Sequence, residues 1–299
     1  MKREIPGTEF ISPGHLACQG CGAVLAMRYV LKALGEKTVV VIPACCWSII
    51  PGPFPFTALK IAAIHVAFET AASSAAGIRA GLDIQGKEDV NVLAFAGDGG
   101  TFDIGLQSLS GAVERNENII YVCYDNEAYM NTGIQRSSAT PESAWTTTTP
   151  LTNPKEGAKK DIVKILAGHS IPYAATATIA YPEDLIRKVT KAAKIKGSRF
   201  IHILSPCPPG WKSDPMETIR IARLAVQSKI FPLYEVEHGE KYIINTEPTG
   251  LSVHEYLKTQ GRFAHLSPKQ IEQIQARVDY HWERLLYQAM MDSFKEWRK

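Results

Sequence analysis

The sequence predicts an α/β fold: a doubly wound, mostly parallel sheet, followed by a C-terminal extension that ends in a long helix. Three observations predict it. Short runs, most of them almost wholly apolar, recur at 39–42, 90–95, 119–124, 173–178 and 200–204, as expected of strands covered on both faces. Helix-like segments separate them, which is the connection that parallel strands require. Glycine-rich or polar groups follow the carboxyl ends of several runs, where open α/β sheets bind ligands.

Residues 1–14 are punctuated by Pro and Gly and read as extended chain. The next stretch, Cys18-Gln19-Gly20-Cys21-Gly22, lets two thiolates from one turn reach the same metal, and its glycines permit a tight loop. A helix follows over 23–34, with Val24, Leu25, Tyr29, Val30, Leu31 and Leu34 at apolar positions and Gly35 suited to its C-cap. The strand at 39–42 stops at Pro43 and delivers Cys45 and Cys46 at its carboxyl end. Residues 51–60 read as a Pro/Phe-rich loop. The run 65–81, rich in Ala, Ser and Gly, reads as a helix packed closely on a sheet or another chain. Phe68 and Glu69 could approach a ligand, but packing is the simpler reading.

The centre of the chain is Ala96 to Asn131. A strand at 90–95 turns sharply on Gly97-Asp98-Gly99-Gly100, a helix covers 103–115, and a strand at 119–124 ends in Asp125-Asn126. The carboxylate and the amide therefore face one crevice. Asp98 and Asn126 offer the oxygen ligands that Mg²⁺ prefers, completed by phosphate oxygens. The glycines let backbone N–H groups approach a diphosphate, and the helix N-terminus favours its charge. The plain alternative is a tight βα turn with a solvated Asp, followed by an ordinary Asx turn. Asn126 at the end of the next strand argues against it.

Residues 131–150 form a loop too long for a plain connection, which points to function. A helix at 161–169, a strand at 173–178, a helix at 182–196 and a strand at 200–204 follow, the last leading into Cys207. A helix at 215–228 closes a domain of residues 1–228. The remainder, 229–299, changes character: short strands within 230–246 with a turn at His238-Gly239, then a long helix from Pro268 to Trp297. Its apolar positions Ile271, Ile274, Val278, Trp282 and Leu285 recur at helical spacing. This part is expected to pack on the core or on a partner subunit.

Composition bounds the function. The chain has 299 residues, 45% hydrophobic and 21% charged, with net charge +3, so it can bury a large core and is not disordered. No basic run suggests nucleic acid. No charged-then-apolar N-terminus and no run of 18 apolar residues is present, so a soluble cytoplasmic protein without a membrane segment is expected. Six cysteines in such a chain suit metal binding or catalysis better than a disulfide framework.

The GDG turn followed by Asn126 resembles the thiamine diphosphate motif. The run Tyr124-Asp125-Asn126-Glu127-Ala128-Tyr129-Met130-Asn131-Thr132-Gly133 is more specific. It is similar to the β subunits of pyruvate:ferredoxin oxidoreductases (pyruvate synthases), within the 2-oxoacid:ferredoxin oxidoreductase family, and the resemblance covers nearly the whole chain. It implies a sheet of the thiamine-diphosphate-binding type. It implies that Asp98, Asn126 and the Ala128 carbonyl ligate Mg²⁺ and that Gly97, Asp98, Gly99 and Gly100 cradle the diphosphate. Asn131 would reach the thiazolium and the substrate carboxylate as the catalytic side chain, with Thr132 and Arg136 as helpers. Ile104 could pack on the cofactor ring, although burial along its helix is the simpler reading.

The resemblance also makes Cys18, Cys21, Cys46 and Cys207 ligands of a 4Fe–4S cluster; thiolates alone would equally suit zinc. Cys45 rivals Cys46, and Trp47 departs from the small residue found there in the family. Cys123, inside a strand, reads as core. The implied reaction is oxidative decarboxylation of pyruvate with coenzyme A to acetyl-CoA and CO₂. Electrons would leave one at a time through the cluster to ferredoxin, and the reaction could run in reverse. The carboxylate that thiamine chemistry needs beside the aminopyrimidine is missing here. In the family an α subunit supplies it, and γ and δ subunits complete the complex, so the chain alone should be inactive. Other 2-oxoacids (branched-chain 2-oxoisovalerate, aromatic acids, 2-oxoglutarate or oxalate) stay open, as do a non-redox thiamine enzyme and a zinc-stapled binding module. Chain length, the run 129–138 and the extension favour pyruvate.

Overall fold

One sheet organises the chain in the computed structural model, which describes residues 5–296, with side chains through 291. Its strands are β1 (Thr38–Pro43), β2 (Ala62–Val66), β3 (Asn91–Gly97), β4 (Ile120–Asp125), β5 (Tyr173–Thr178), β6 (Arg199–Leu204), β7 (Tyr234–Glu237) and β8 (Lys241–Ile244). Their spatial order is β2-β1-β3-β4-β6-β5-β7-β8. The six strands from β2 to β5 in that order run parallel, and β7 and β8 are antiparallel. Every residue of β4, β5 and β6 is buried, which explains why their runs are mostly apolar.

The connection after β1 leads outward to β2, whereas the one after β3 leads the other way to β4. A crevice opens where neighbouring connections diverge. Cys45 and Cys46 follow β1, and Asp98 follows Gly97, the last residue of β3, so these loops border that crevice. The pairings Gly97↔Tyr124 and Asp125↔Leu204 bring the ends of β3, β4 and β6 level.

Helices cover both faces. On one lie α1 (Gly22–Leu34) and, later in the chain, α5 (Pro182–Lys194), whose apolar stripes meet Val40, Ile42, Phe95 and Val122. On the other lie α2 (Ala71–Ile84), α3 (Leu106–Glu114) and α4 (Ile162–Ala167), packed on Val41, Ala94, Tyr121 and Phe200. The alanines of α2 lie flat against the sheet, as small residues permit.

Two sequence expectations need correction. Residues 62–66, of which His65 and Val66 are expected to open a helix, form strand β2, and the helix begins only at Ala71. His65 and Val66 pair with Ile42 and Pro43. The strand lies at the sheet edge, with its first four residues exposed, so pairing rests on backbone groups and leaves no buried-strand pattern to read. The helix expected from 103 begins at Leu106, after a π turn over Gly99–Asp103. This shifts the helical phase, and Ile104, expected to be buried, is 53% exposed.

After α6 (Pro208–Trp211) and α7 (Thr218–Gln227) the chain returns to the sheet. Glu235 on β7 is buried and accepts from the Tyr173 hydroxyl at 2.9 Å and Arg187 at 2.7 Å, with Lys191 at 2.5 Å. Burial opposes its ionisation, but the Lys191 and Arg187 bonds outweigh that and hold its carboxyl at about 2. Phe231, Leu233, α8 (Val253–Leu257) and Phe263 join Trp211 and Ile221 in a third apolar cluster. The last helix, α9 (Pro268–Glu296), packs Trp282 and Leu285 inward; its expected end at Trp297 lies outside the described residues. No described helix is long and apolar enough to cross a membrane.

Because Leu233 is fully buried in that shared cluster, Leu233→Ala should lower the unfolding free energy by roughly 2–5 kcal/mol. Urea unfolding should show one shifted transition. A separate early transition confined to the segment after residue 228 would overturn this reading of the packing.

Candidate functional site

The turn after β3 is held open by its neighbours. The π turn places Gly99 against Tyr129: an added Cβ would come within 2.2 Å of Cε1 and 2.4 Å of Cδ1. Gly100 lies under Phe68, where an added Cβ would stand 3.1 Å from the ring. Single π turns recur at functional sites because they re-aim backbone groups. Thr101 ties the turn back, its hydroxyl donating to the Gly97 carbonyl at 2.8 Å.

Gly97, Asp98, Gly99, Gly100, Asn126, Ala128, Asn131 and Thr132 line a single cavity of about 180 Å³. Cys45, Cys46, Phe68, Tyr124, Tyr129 and Met130 complete much of its wall. Phe68 therefore faces the cavity and is not part of a packing helix. Asn131, Thr132 and Arg136 are exposed, and Arg136 does not line the cavity.

Asp98 is 1% exposed. Ser137 donates its hydroxyl to Oδ2 at 2.5 Å. Burial first, and the charge of nearby Asp125 second, raise its pKa well above the usual carboxylate range. The outer amide atom of Asn126 stands 3.0 Å from Asp98 Oδ1 and 3.0 Å from the Ala128 carbonyl oxygen. With nitrogen in that place the amide donates to both. With oxygen there, three oxygens face one another and only a cation reconciles them. Adjacent ligands of an octahedral Mg²⁺, at about 2.1 Å from the metal, stand ~3 Å apart, so the spacing suits that ion.

The turn after β4 is braced from behind. Asp125 Oδ1 accepts the Glu127 N–H at 2.9 Å, and Glu127 takes a left-handed φ of 68°. Trp211 Nε1–H donates to the Asn126 carbonyl at 2.7 Å, and the Thr140 hydroxyl to the Glu127 carbonyl at 2.7 Å. Lys159 contacts Asp125 at 2.5 Å and Glu127 at 2.8 Å. His202 Nε2–H donates to Asp125 at 2.7 Å. Burial opposes ionisation of Asp125, but Lys159 and His202 outweigh it and hold the carboxyl at about 2.

The loops that carry the four cysteines of the expected cluster lie close together beside this cavity, with Cys46 on its wall. Gly22 N–H donates to the Pro206 carbonyl at 3.1 Å, which sets the Cys21 loop against the segment entering Cys207. An added Cβ at Gly22 would stand 2.8 Å from that oxygen, so the approach requires glycine. Trp47 is fully buried and donates Nε1–H to the Ala23 carbonyl at 3.3 Å, drawing the Cys46 loop onto the start of α1. Burial, with Cys45, Cys207 and Cys21 nearby, pushes the Cys46 thiol up to about 12. Burial also raises Cys207 to about 12, with Cys21 and Cys18 close by. Backbone N–H groups of Val24 and Ala23 reach the Cys21 sulfur, and that of Gly210 reaches Cys207. Cys45 points elsewhere. Its sulfur meets the Tyr124 hydroxyl and the backbone N–H groups of Trp47, Ser48 and Gly97, on the cavity wall. Cys123 is buried core.

Sequence reading missed Ser137, Lys159, His202 and Arg262, which act on this site from 32 to 135 residues away in the chain. No local motif marks them.

A family model described as the thiamine pyrophosphate enzyme C-terminal TPP-binding domain matches residues 49–203. The chain is 52% identical over 296 residues to ketoisovalerate oxidoreductase subunit VorB of Pyrococcus horikoshii, covering 94% of each. It is 50% identical over 279 residues to pyruvate synthase subunit PorB of Methanothermobacter thermautotrophicus, covering 92% of this chain and 97% of that one. A solved 2-oxoglutarate:ferredoxin oxidoreductase from Magnetococcus marinus shares the fold, with TM-score 0.59 and 21% identity over 75% of this chain and 81% of that one.

Gly99→Ala should drive the Tyr129 ring out of place. Overpacking costs ~1–3 kcal/mol, so thiamine diphosphate should bind about ten- to a hundredfold more weakly, as measured by calorimetric titration. Gly81→Ala, with open space around its Cβ position, should leave binding unchanged. Equal affinity in both variants would overturn the cradle.

Proposed function

The chain belongs to the family of thiamine-pyrophosphate-dependent 2-oxoacid:ferredoxin oxidoreductase subunits, and we propose that it is the subunit that holds magnesium–thiamine diphosphate and a 4Fe–4S cluster. The single observation that carries the cofactor reading is the meeting of Asp98, Asn126 and the Ala128 carbonyl at 3.0 Å spacing on one cavity with the glycine turn.

In this reading Asp98, Asn126 and the Ala128 carbonyl hold Mg²⁺, and the Gly97–Gly100 backbone cradles the diphosphate. The cation removes the cost of ionising Asp98 in its buried place, and Ser137 keeps the second carboxylate oxygen satisfied. Asn131, with Thr132 beside it at the cavity mouth, orients the substrate carboxylate. When bound, thiamine diphosphate would supply the carbon that attacks the 2-keto group and the electron sink for the pair left by the substrate's carbon–carboxylate bond as CO₂ leaves. Cys18, Cys21, Cys46 and Cys207 ligate the cluster, and the N–H groups at Cys21 and Cys207 offset thiolate charge. Among the described residues no three His, Cys, Asp or Glu side chains gather tightly enough for a single metal ion. Cys46 lines the same cavity as Asp98 and Asn126, so the cluster it would hold lies beside the cofactor site.

The proposed substrate is pyruvate, with coenzyme A taking the acetyl group and ferredoxin the electrons, in a complex completed by α, γ and δ subunits or fused equivalents. A second reading, a branched-chain 2-oxoacid such as 2-oxoisovalerate, is favoured by the 52% identity to the ketoisovalerate subunit.

The test is anaerobic purification with natural partners, followed by iron, sulfide and thiamine analysis and by EPR after adding pyruvate or 2-oxoisovalerate. Reduction of an iron–sulfur signal by pyruvate is expected; reduction by 2-oxoisovalerate alone moves the substrate to the second reading. Cys46→Ser should lose most of the iron, whereas Cys45→Ser should retain it. The opposite pattern would exchange their roles, and zinc in place of iron would end the cluster reading. The chain without its partners should show no turnover.

A further inference from the structure

Arg262 comes from the C-terminal extension, in a 3₁₀ turn over Gly261–Phe263, yet its side chain ends beside the turn after β4. It is 2% exposed. Its Nη2 donates to Glu127 Oε2 at 2.5 Å and to Gln260 Oε1 at 2.8 Å, and Nε donates to the same Gln260 oxygen at 3.0 Å. The guanidinium stacks on Trp211, 3.9 Å from the ring centroid. Trp211 in turn donates to the Asn126 carbonyl. Arg262 thus grips the turn twice: through the Glu127 carboxylate, and through the indole that holds the Asn126 backbone.

Glu127 itself does not line the cavity. It sits between Asn126 and Ala128 in a left-handed conformation that a long side chain rarely adopts. That conformation turns the Asn126 amide and the Ala128 carbonyl toward Asp98. Glu127 is 3% exposed, and Lys159 and Arg262 each bind one of its oxygens. The two cations balance the Asp125 and Glu127 carboxylates, so the turn carries no net charge into the interior. Removing one member of such a set leaves a buried charge without a partner.

We propose that Arg262 is a positioning residue for the cation and diphosphate site: through Glu127 and Trp211 it holds the Asn126–Ala128 turn in its binding conformation. The extension is then part of the cofactor site and more than a cover for the sheet. By linkage, cofactor binding must stabilise the seat of Arg262 as much as Arg262 favours binding. This rests on the reading of Asp98, Asn126 and Ala128 as cation ligands.

The experiment uses the assembled complex, stripped of cofactor and titrated with Mg²⁺ at fixed thiamine diphosphate, then the reverse, by near-UV circular dichroism. Arg262→Met keeps the bulk and the stacking but loses the charge. Glu127→Gln keeps the shape. Each should raise the half-saturating concentrations of both cofactors about 10- to 100-fold, the range for residues that orient metal ligands. kcat at saturation should stay near wild type. The double variant should be no worse than the weaker single one, because both remove one contact. Arg262→Lys should restore part of the affinity. If Arg262→Met fails to assemble, Glu127→Gln and Arg262→Lys decide. Asp98→Asn is the companion control. Lost binding in it with wild-type affinity in the Arg262 and Glu127 variants overturns this proposal alone. Unchanged binding in Asp98→Asn overturns the site reading beneath it. A lower melting temperature with unchanged cofactor affinity would make Arg262 merely structural.

Discussion

Buried carboxylates at the carboxyl edge of the sheet set the terms for everything around them. Asp98, Asp125 and Glu127 are each at most 3% exposed, and burial of an unpaired charge costs several kcal/mol. The protein answers in two ways. Asp125 and Glu127 receive cations of its own, Lys159 and Arg262. Asp98 receives neutral donors instead, the Ser137 hydroxyl and, with nitrogen outward, the Asn126 amide. One carboxylate is thus left short of positive charge, and it is the one that faces the cavity. The long loop before α4 and the segment beyond β8 are both drawn into this arrangement, because they carry the lysine and the arginine.

The same edge carries the cysteines for a topological reason. β1 and β3 are neighbours whose following connections diverge, so the loops after them cannot fill the space between. Cys45 and Cys46 enter that space from one side and Asp98 from the other. Consecutive cysteines have different neighbours: the Cys45 sulfur meets the Tyr124 hydroxyl and the Gly97 N–H, while Cys46 lies near Cys21 and Cys207. Trp47 fixes this division by anchoring its indole on Ala23 and packing edge-on to Phe95 at 5.9 Å. A bulky residue at that position serves as a clamp between two loops.

Legibility followed burial. The strands covered on both faces were readable because short, mostly apolar runs have few other uses, and β4 through β6 fall within a residue or two of their expected bounds. Edge strand β2 was not readable, since its alanines face no core and its pairing is made by backbone atoms. The π turn was equally invisible. It depends on Gly105 passing close to Gly100, where an added Cβ would meet the carbonyl oxygen, and such an approach leaves no local periodicity.

Local chemistry is what the sequence determines by itself. The GDG turn, the amide one strand later and the CxxC spacing announce oxygen and sulfur ligands, because ligand type and short-range spacing are properties of consecutive residues. Tertiary structure alone decides which groups share a charge. Ser137 meets Asp98, and Arg262 meets Glu127 across 135 residues. Those pairings follow from desolvation: a buried charge must find a partner wherever the fold brings one, and no distance along the chain encodes that meeting.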